Sequence, residues 1–147
     1  MSRVQLALNV SNLGEAIDFY SRFFDASPAK VRPGYANFAI DDPPLKLVLI
    51  EGGGEPGSIN HLGVEALSSA EVAEAKRRLG VAGLASDDLE RTTCCYAVQD
   101  KFWVQGPDTS RWEHYTVLED VSDEVSDERD QCCVGTTATQ PVAGACC

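Results

Sequence analysis

Apolar and polar positions repeat the same pattern twice along this chain of 147 residues. Residues 5–9 have the short alternating pattern of a strand, and the residues after them have the three-to-four spacing of an amphipathic helix. One face of this first predicted helix is apolar and presents Leu13, Ala16, Ile17, Tyr20 and Phe24. A second copy of the pattern begins at residue 61. The chain therefore contains an internal repeat, and each half opens with a strand followed by a helix.

The two copies align over their strands and their helices. Residues 5–9 match residues 61–65, and residues 15–18 match residues 71–74. Each helix has a polar residue at its start and a glutamate three residues later, which is the pattern of a capped N-terminus. The two predicted cap pairs are Asn12 with Glu15, and Ser68 with Glu71.

Shorter strand-like segments follow each predicted helix. They cover residues 29–32, 35–40 and 46–51 in the first half, and residues 84–90, 94–98, 101–105 and 113–118 in the second. A glycine-rich linker at residues 52–57 joins the halves. We therefore predict an α+β domain at residues 1–119, built from two tandem βαβββ modules at about residues 1–52 and 58–119.

Composition limits the classes of partner. The formal net charge is −11 and the pI is near 4.4, so nucleic acid is not an expected partner, because binding to phosphates needs a basic surface. No stretch approaches the roughly 20 apolar residues of a membrane span. The N-terminus lacks the apolar segment of a signal peptide, so we expect a cytoplasmic protein. Residues 120–147 are acidic and have no periodicity, which predicts a flexible tail.

The six cysteines form three adjacent pairs: Cys94-Cys95, Cys132-Cys133 and Cys146-Cys147. Neighbouring cysteines rarely bridge each other, because the small ring distorts the peptide unit between them. Two such thiols suit one soft atom, such as trivalent arsenic, cadmium or mercury. The alternative for Cys94-Cys95 is one buried cysteine beside one that faces solvent, as strand alternation would give.

Three further side chains are candidate metal ligands. His61 opens the first strand of the second module, Gln5 has the matching place in the first, and Glu113 lies in the last strand. If equivalent strands pair, these three could converge in one concavity and hold a divalent metal, with other positions on the metal open. The alternatives are that Gln5 is structural, that His61 is a hydrogen-bonded core residue, and that His114 rather than Glu113 points inward.

These modules and candidate ligands resemble the vicinal oxygen chelate superfamily, which includes glyoxalase I, extradiol dioxygenases and bleomycin-resistance proteins. Within it, the chain is most similar to the carbon–arsenic lyases, also described as arsenic- or cadmium-inducible glyoxalase-like proteins. The resemblance covers roughly residues 1–119 and rests on five segments: 1–10, 60–63, 93–97, 101–104 and 112–115. It implies a partly open, barrel-like sheet.

The resemblance also implies a function. Cys94 and Cys95 would bind the arsenic of a trivalent organoarsenical, and Gln5, His61 and Glu113 would hold Fe(II), with Ni(II) or Co(II) as surrogates. Oxygen would be the co-substrate and arsenite a product. Four aromatic side chains could line the pocket, namely Tyr96, Phe102, Trp103 and Tyr115, although aromatic residues in strands more often belong to the core. The preference between methyl and aryl compounds, the formation of a homodimer and the role of the tail cysteines stay open.

Two other functions fit the same residues. The first is a resistance protein that binds arsenic or cadmium through its thiols without catalysis. The second is a glyoxalase-type isomerase that uses Ni(II) or Zn(II). Oxygen dependence separates the lyase from both, and an isomerase should tolerate serine at positions 94 and 95.

Overall fold

The computed structural model describes residues 2–84, 86–94 and 97–120, except for the side chains of 86–94, 109 and 120. The first module contains β1 (Arg3–Val10), α1 (Leu13–Phe24), β2 (Lys30–Arg32), β3 (Tyr35–Ile40) and β4 (Leu45–Glu51). The second contains β5 (Ile59–Glu65), α2 (Ser69–Val81), β6 (Ser86–Cys94), β7 (Ala97–Gln105) and β8 (Arg111–Asp120). The two modules therefore have the same order of elements, as the repeat predicts.

All eight of these strands form one mixed sheet in the order β2-β3-β4-β1-β5-β8-β7-β6. Each module pairs its first and last strands in parallel, β1 with β4 and β5 with β8. The modules meet where β1 and β5 run antiparallel, with Gln5 opposite Gly63. The sheet curls into a half-barrel, which confirms the predicted fold and puts the opening strands of both modules at its centre.

Helix α1 packs on the outer face of the first module. The apolar residues predicted for one face of this helix all contact the core formed by β3 and β4, which includes Phe38, Leu47 and Leu49. The side chain of Asn12 accepts a hydrogen bond of 3.0 Å from the backbone N–H of Glu15 and so caps the helix as predicted. Burial of this apolar face leaves the inner face of the sheet free for other chemistry.

Helix α2 covers the outer face of the second module in the same way. Val72 and Ala75 pack against Phe102 of β7, and Ser68 caps the helix by accepting from the backbone N–H of Glu71 at 3.3 Å. No helix of the described residues is long and apolar enough to cross a membrane.

The strand prediction was wrong in part of the second module. Residues 94–98 were expected to form one strand, but β6 ends at Cys94 and β7 begins at Ala97, with these two residues paired across an antiparallel hairpin. β7 then continues without a break to Gln105, because alternation of buried and half-buried positions persists through Gln99 and Asp100. The predicted tail at residues 120–147 lies outside the described residues, apart from the backbone of Asp120 at the end of β8.

Candidate metal centre and its cavity

Three adjacent strands bring Gln5, Gly63 and Glu113 into one row across the inner face of the sheet. Gln5 of β1 pairs with Gly63 of β5, and Gly63 pairs with Glu113 of β8. His61 lies two residues before Gly63, so its side chain points to the same face. The pairing of equivalent strands therefore gathers the three predicted ligands at the centre of the half-barrel.

The three polar side chains are buried and within hydrogen-bonding distance of each other. Gln5 Nε2 lies 2.9 Å from His61 Nε2 and donates to Glu113 Oε2 at 3.0 Å. The exposed fractions of Gln5, His61 and Glu113 are 4%, 8% and 6%. Burial of a polar group costs free energy unless the group is paired, so these side chains are expected to hydrogen bond to one another or to bind a shared ion.

The donor set fits a divalent cation. His61 Nε2 and Glu113 Oε2 lie 3.7 Å apart, which is less than twice a metal–ligand bond of about 2.0–2.2 Å, so one ion could contact both atoms. Among the side chains that the structure describes, no three histidine, cysteine, aspartate or glutamate groups form a metal-binding cluster. The third ligand of this centre would therefore be the Gln5 amide.

The Gln5 amide is oriented with its nitrogen toward the other two candidate ligands. Its oxygen, Oε1, accepts a very short hydrogen bond from the Tyr115 hydroxyl. A cation needs the oxygen, so the amide must turn over to bind one. Tyr115 can satisfy both orientations, because a phenol donates to an amide oxygen and accepts from an amide nitrogen.

Lys101 is a buried charge at this site that the sequence analysis missed. Its ammonium group lies 3.0 Å from Glu113 Oε1, and its side chain is fully buried. The ammonium group of Lys101 occupies Oε1 of Glu113, so the other carboxylate oxygen, Oε2, faces the candidate metal centre. Alternation from Trp103 along β7 was a signal that Lys101 points inward, but its partner lies on another strand.

Asn60 is hydrogen bonded to the other ring nitrogen of His61. Its Oδ1 lies 2.7 Å from His61 Nδ1, and its Nδ2 donates to Asn9 Oδ1 at 3.0 Å and to Gly53 O at 3.4 Å. With Nδ2 committed to two acceptors, Oδ1 must accept, so His61 carries its proton on Nδ1. The lone pair of Nε2 then faces the candidate metal centre.

The direction of this hydrogen-bond chain is set in the linker between the modules. The Ser58 hydroxyl donates to the carbonyl of Glu55 at 2.6 Å, so it accepts from Asn9 Nδ2 at 2.8 Å. Asn9 therefore presents its oxygen to Asn60. A main-chain carbonyl of the linker thus determines which nitrogen of His61 is free to bind a metal.

Gly63 gives the candidate ligands the room that they occupy. A Cβ at this position would lie 3.0 Å from the carbonyl oxygen of Glu113 and 3.3 Å from both Cβ and Nε2 of Gln5. Any larger side chain would displace one of the two ligands. The absence of a side chain at position 63 is thus a requirement of the site.

Aromatic side chains form part of the wall. Trp103 meets the His61 ring edge to face at 5.3 Å, and the Arg111 guanidinium lies 4.3 Å from the Trp103 ring. Trp103 and Tyr115 line the cavity, as expected for both. Phe102 follows the other alternative and belongs to the core, because alternation along β7 points it to the outer face against α2. Tyr96 lies outside the described residues.

His114 points away from the centre. It stacks on Phe102 at 5.3 Å on the face of the sheet that α2 covers, so Glu113 is the residue that points inward. Burial lowers the pKa of His114, and the charge of Arg78 lowers it further, while Glu71 acts in the opposite direction. His114 is therefore a packing residue that resists protonation.

The candidate ligands lie in a cavity of about 280 Å³ on the inner face of the sheet. Both modules line it, with Tyr35, Asn37 and Val48 from the first and Ala97, Gln99 and Trp103 from the second. Cys94 ends β6 and its backbone pairs with Ala97, so it adjoins a residue of the cavity wall. The Cys94 side chain, and Cys95, Cys132, Cys133, Cys146 and Cys147, lie outside what the structure describes.

Two βαβββ modules that place polar side chains from their first and last strands in one shared cavity define a structural class of proteins. The chain belongs to this class: the profile of the Glyoxalase/Bleomycin resistance protein/Dioxygenase superfamily matches residues 3–114. A solved structure, the 2,3-dioxygenase LapB from Pseudomonas sp. KL28, superposes with a TM-score of 0.61 at 19% identity, over 85% of this chain and 44% of that chain. That likeness supports the fold.

Two curated relatives are much more similar in sequence. A protein of Thermomonospora curvata named trivalent organoarsenical cleaving enzyme is 52% identical over 151 residues, covering 100% of both chains. A protein of Mycobacterium tuberculosis named cadmium-induced protein CadI is 55% identical over 147 residues, covering 94% of this chain and 97% of that one.

Proposed function

We propose that the protein cleaves the carbon–arsenic bond of trivalent organoarsenicals in a reaction that depends on Fe(II) and O₂, and that it releases arsenite together with the organic group in oxidised form. The observation that carries this proposal is the buried convergence of Gln5, His61 and Glu113 in a cavity shared by both modules. The 52% identity to a protein named for this cleavage supports the same reaction.

Gln5, His61 and Glu113 would hold the iron. This set is the two-histidine, one-carboxylate arrangement of non-haem Fe(II) oxygenases with Gln5 in place of one histidine. Bound iron would supply the activation of O₂. Ni(II) and Co(II) bind such ligands at least as tightly as Fe(II), so either could replace it in a purified sample.

The neighbouring side chains keep the ligands in place. Lys101 holds one oxygen of Glu113, and Asn60 holds the His61 ring with its Nε2 toward the centre. Tyr115 stays hydrogen bonded to the Gln5 amide in either orientation. Trp103, which is 3% exposed, excludes water from the side of His61.

Cys94 and Cys95 would bind the arsenic atom of the substrate. Arsenic(III) with one organic group has two further valences, and two adjacent thiolates fill both. The pairing of Cys94 with Ala97 supports this role, because Ala97 is buried in the cavity wall. Holding the organic group beside the metal site replaces a bimolecular encounter, which is worth up to about 7–11 kcal/mol in favourable cases.

One experiment tests whether turnover requires both the metal and the two thiols. The protein is stripped with a chelator, reloaded with Fe(II), Ni(II) or Zn(II), and supplied with methylarsenite in air while arsenite is measured. We expect release with Fe(II) only, and none in Cys94→Ser or Cys95→Ser although both keep bound iron. Cys132→Ser is the matched control and should turn over normally. Full activity in Cys94→Ser or Cys95→Ser would show that the two thiols do not hold the substrate.

A second candidate is a protein that binds soft metals through its thiols without catalysis. The 55% identity to a protein named cadmium-induced favours this alternative, and so do the three cysteine pairs of the chain. This second candidate predicts that methylarsenite and Cd²⁺ bind to the thiols of Cys94 and Cys95 and that methylarsenite is recovered unchanged. Recovery of arsenite would exclude it as the whole function.

A further inference from the structure

We infer that Trp103 is a site of oxidative self-modification. When the protein holds Fe(II) but no arsenical, O₂ adds to the Trp103 indole and converts it to N-formylkynurenine. This inference rests on the proposed function, because it uses the same Fe(II) and the same O₂. Its consequence for the protein is that substrate protects Trp103, and that the iron-loaded protein without substrate loses this side chain in air.

Trp103 lies beside a candidate metal ligand. Its ring meets the ring of His61 edge to face, with 5.3 Å between the ring centres. Trp103 lines the cavity that contains the candidate ligands, and only 3% of the residue is exposed to solvent. An oxidant generated in the cavity therefore has the indole in its wall, whereas an oxidant dissolved in the surrounding water is kept away from it.

Trp112, the other tryptophan of the chain, has the opposite environment. It is 39% exposed, and it comes directly before Glu113 in β8, so strand alternation points it away from the inner face. An oxidant in solution reaches an exposed side chain more readily than a buried one. The two tryptophans therefore distinguish oxidation from within the cavity, at Trp103, from oxidation by the solvent, at Trp112.

The indole can take up O₂ without any other reactant. The carbon–carbon double bond of its five-membered ring breaks, and each of the two carbons receives one oxygen atom. The carbon attached to nitrogen becomes a formyl group, and the other carbon becomes a ketone. The electron pairs of the broken double bond pass to O₂, both oxygen atoms stay in the product and no proton is lost, so the step needs no external reductant.

The tyrosines of the cavity lack this route. Tyr35 and Tyr115 line the same cavity as Trp103. Oxidation of a phenol places one oxygen atom on the ring, and reduction of the second atom to water then requires electrons and protons from a further reactant. Among the tyrosine and tryptophan side chains described in the cavity wall, Trp103 is therefore the one that can consume O₂ alone.

Two cations near the ring oppose its oxidation. The Arg111 guanidinium lies 4.3 Å from the centre of the Trp103 ring, and the Lys101 ammonium group lies 5.6 Å from it. A positive charge over an indole attracts its π electrons and makes their removal less favourable. These contacts protect Trp103, so removal of the Arg111 charge should accelerate the modification.

Peptide mapping tests the inference. Metal-free, full-length protein is loaded with Fe(II) under argon and exposed to air without arsenical, beside a Zn(II)-loaded sample, with catalase present to remove hydrogen peroxide. Trypsin cleaves after Lys101 and Arg111, so the two tryptophans fall on different peptides. We expect the Trp103 peptide to gain the mass of one O₂ molecule with Fe(II) only. No gain at Trp103, an equal gain at Trp112 or an equal gain with Zn(II) would overturn the inference.

A charge variant tests the protection by Arg111. In Arg111→Met, the intact protein should gain this mass about two- to fivefold faster than the wild type, because a cation–π contact is lost. Arg22→Met is the control and should not change the rate, since Arg22 is an exposed residue of α1 whose side chain is 74% accessible. An unchanged rate in Arg111→Met would refute the protection.

Arsenite measured in a parallel portion separates this inference from the proposed function. With methylarsenite in excess, arsenite should appear and the modification of Trp103 should slow. Arsenite release from protein whose Trp103 stays unmodified even without arsenical would refute the inference alone. Modification of Trp103 without arsenite release would refute the proposed lyase and retain the inference.

Discussion

The Asn60 side chain and the His61 ring share a hydrogen bond of 2.7 Å that leaves the Nε2 lone pair of His61 facing the Gln5 amide and Glu113. The direction of this bond follows from a chain of hydrogen bonds in which the Glu55 carbonyl accepts from Ser58, Ser58 accepts from Asn9, and Asn9 accepts from Asn60. The linker between the modules thus does more than connect them, because it determines the protonated nitrogen of a candidate metal ligand.

Removing the Asn60 amide should change the His61 tautomer. In the metal-free wild type we expect the proton on Nδ1, and in Asn60→Ala a mixture of both tautomers with a metal affinity about 10–100-fold lower. Nitrogen-15 NMR of the imidazole rings measures the tautomer directly, and the chain has only two histidines to assign. Asn60→Asp is the control, since it keeps an oxygen near Nδ1. A wild-type proton on Nε2 would contradict the assignment.

Breaking the Lys101–Glu113 pair should destabilise the fold strongly. Lys101→Met leaves a buried carboxylate without its cation, and removal of one partner of such a pair typically costs about 3–5 kcal/mol. The double variant Lys101→Met/Glu113→Gln should recover much of the loss, because it removes both charges. Urea unfolding of the metal-free protein measures both effects.

An exposed ion pair provides the comparison for that experiment. Arg77 and Glu74 lie 2.6 Å apart on α2, with exposed side-chain fractions of 67% and 61%. Water screens this pair, so Arg77→Met should leave the unfolding curve nearly unchanged. An equal loss in Arg77→Met and Lys101→Met would show that burial of the Lys101 charge is not the cause.

A methyl group at position 63 should disturb the metal site and the fold together. The added Cβ meets the Glu113 backbone at 3.0 Å, so Gly63→Ala should cost about 1–3 kcal/mol and weaken metal binding. Gly80→Ala in α2 is the matched control, since a Cβ there meets nothing within 4 Å and alanine favours a helix. Calorimetric metal titration and thermal unfolding test both variants, and normal metal affinity in Gly63→Ala would refute the close-packing argument.

His114 should make the metal-free fold less stable as the pH falls. Its pKa is lowered by burial first and by Arg78 second, so the unfolded chain binds a proton more readily than the native one. This contribution to stability is complete above the ordinary histidine pKa of about 6.5 and is lost as the pH falls from there toward the lower native pKa. The facing groups on α2 are Arg78 and Glu71.

The variant His114→Phe isolates that contribution. Phenylalanine keeps the stack on Phe102 but cannot take up a proton, so the unfolding free energy of the variant should depend less steeply on pH below about 6.5. Denaturant unfolding at several pH values measures the slopes. Identical slopes in the variant and the wild type would mean that His114 is not the group responsible.

Local pattern was enough to predict much of the fold. The strand expected at residues 35–40 has those bounds in the structure, and Asn12 and Ser68 cap their helices as expected. The internal repeat indicated that β1 and β5 are equivalent. Since equivalent strands pair at the centre of the sheet, this relation also brought Gln5 and His61 together.

Features that depend on contacts between distant strands were harder to predict. The sequence shows Lys101 only as a lysine in a strand, and its pairing with Glu113 depends on a contact with a second strand. The hydrogen bond between Asn9 and Asn60 likewise joins residues that are 51 positions apart in the chain. The β6–β7 hairpin was misjudged because a strand end at Cys94 and a strand start at Ala97 leave little local signal. Position 63 was visible as a glycine, but the Glu113 backbone and the Gln5 side chain that require it lie on other strands.

The most direct test of an oxygen-dependent reaction at this metal centre is arsenic speciation after a single turnover. Metal-free protein is loaded with Fe(II) under argon, mixed with less than one equivalent of phenylarsenite, and divided between air and argon, beside His61→Ala protein treated identically. We expect arsenite only in the aerated wild-type sample. Arsenite formed equally under argon, or formed by His61→Ala at the wild-type rate, would contradict an oxygen-dependent reaction at this metal centre.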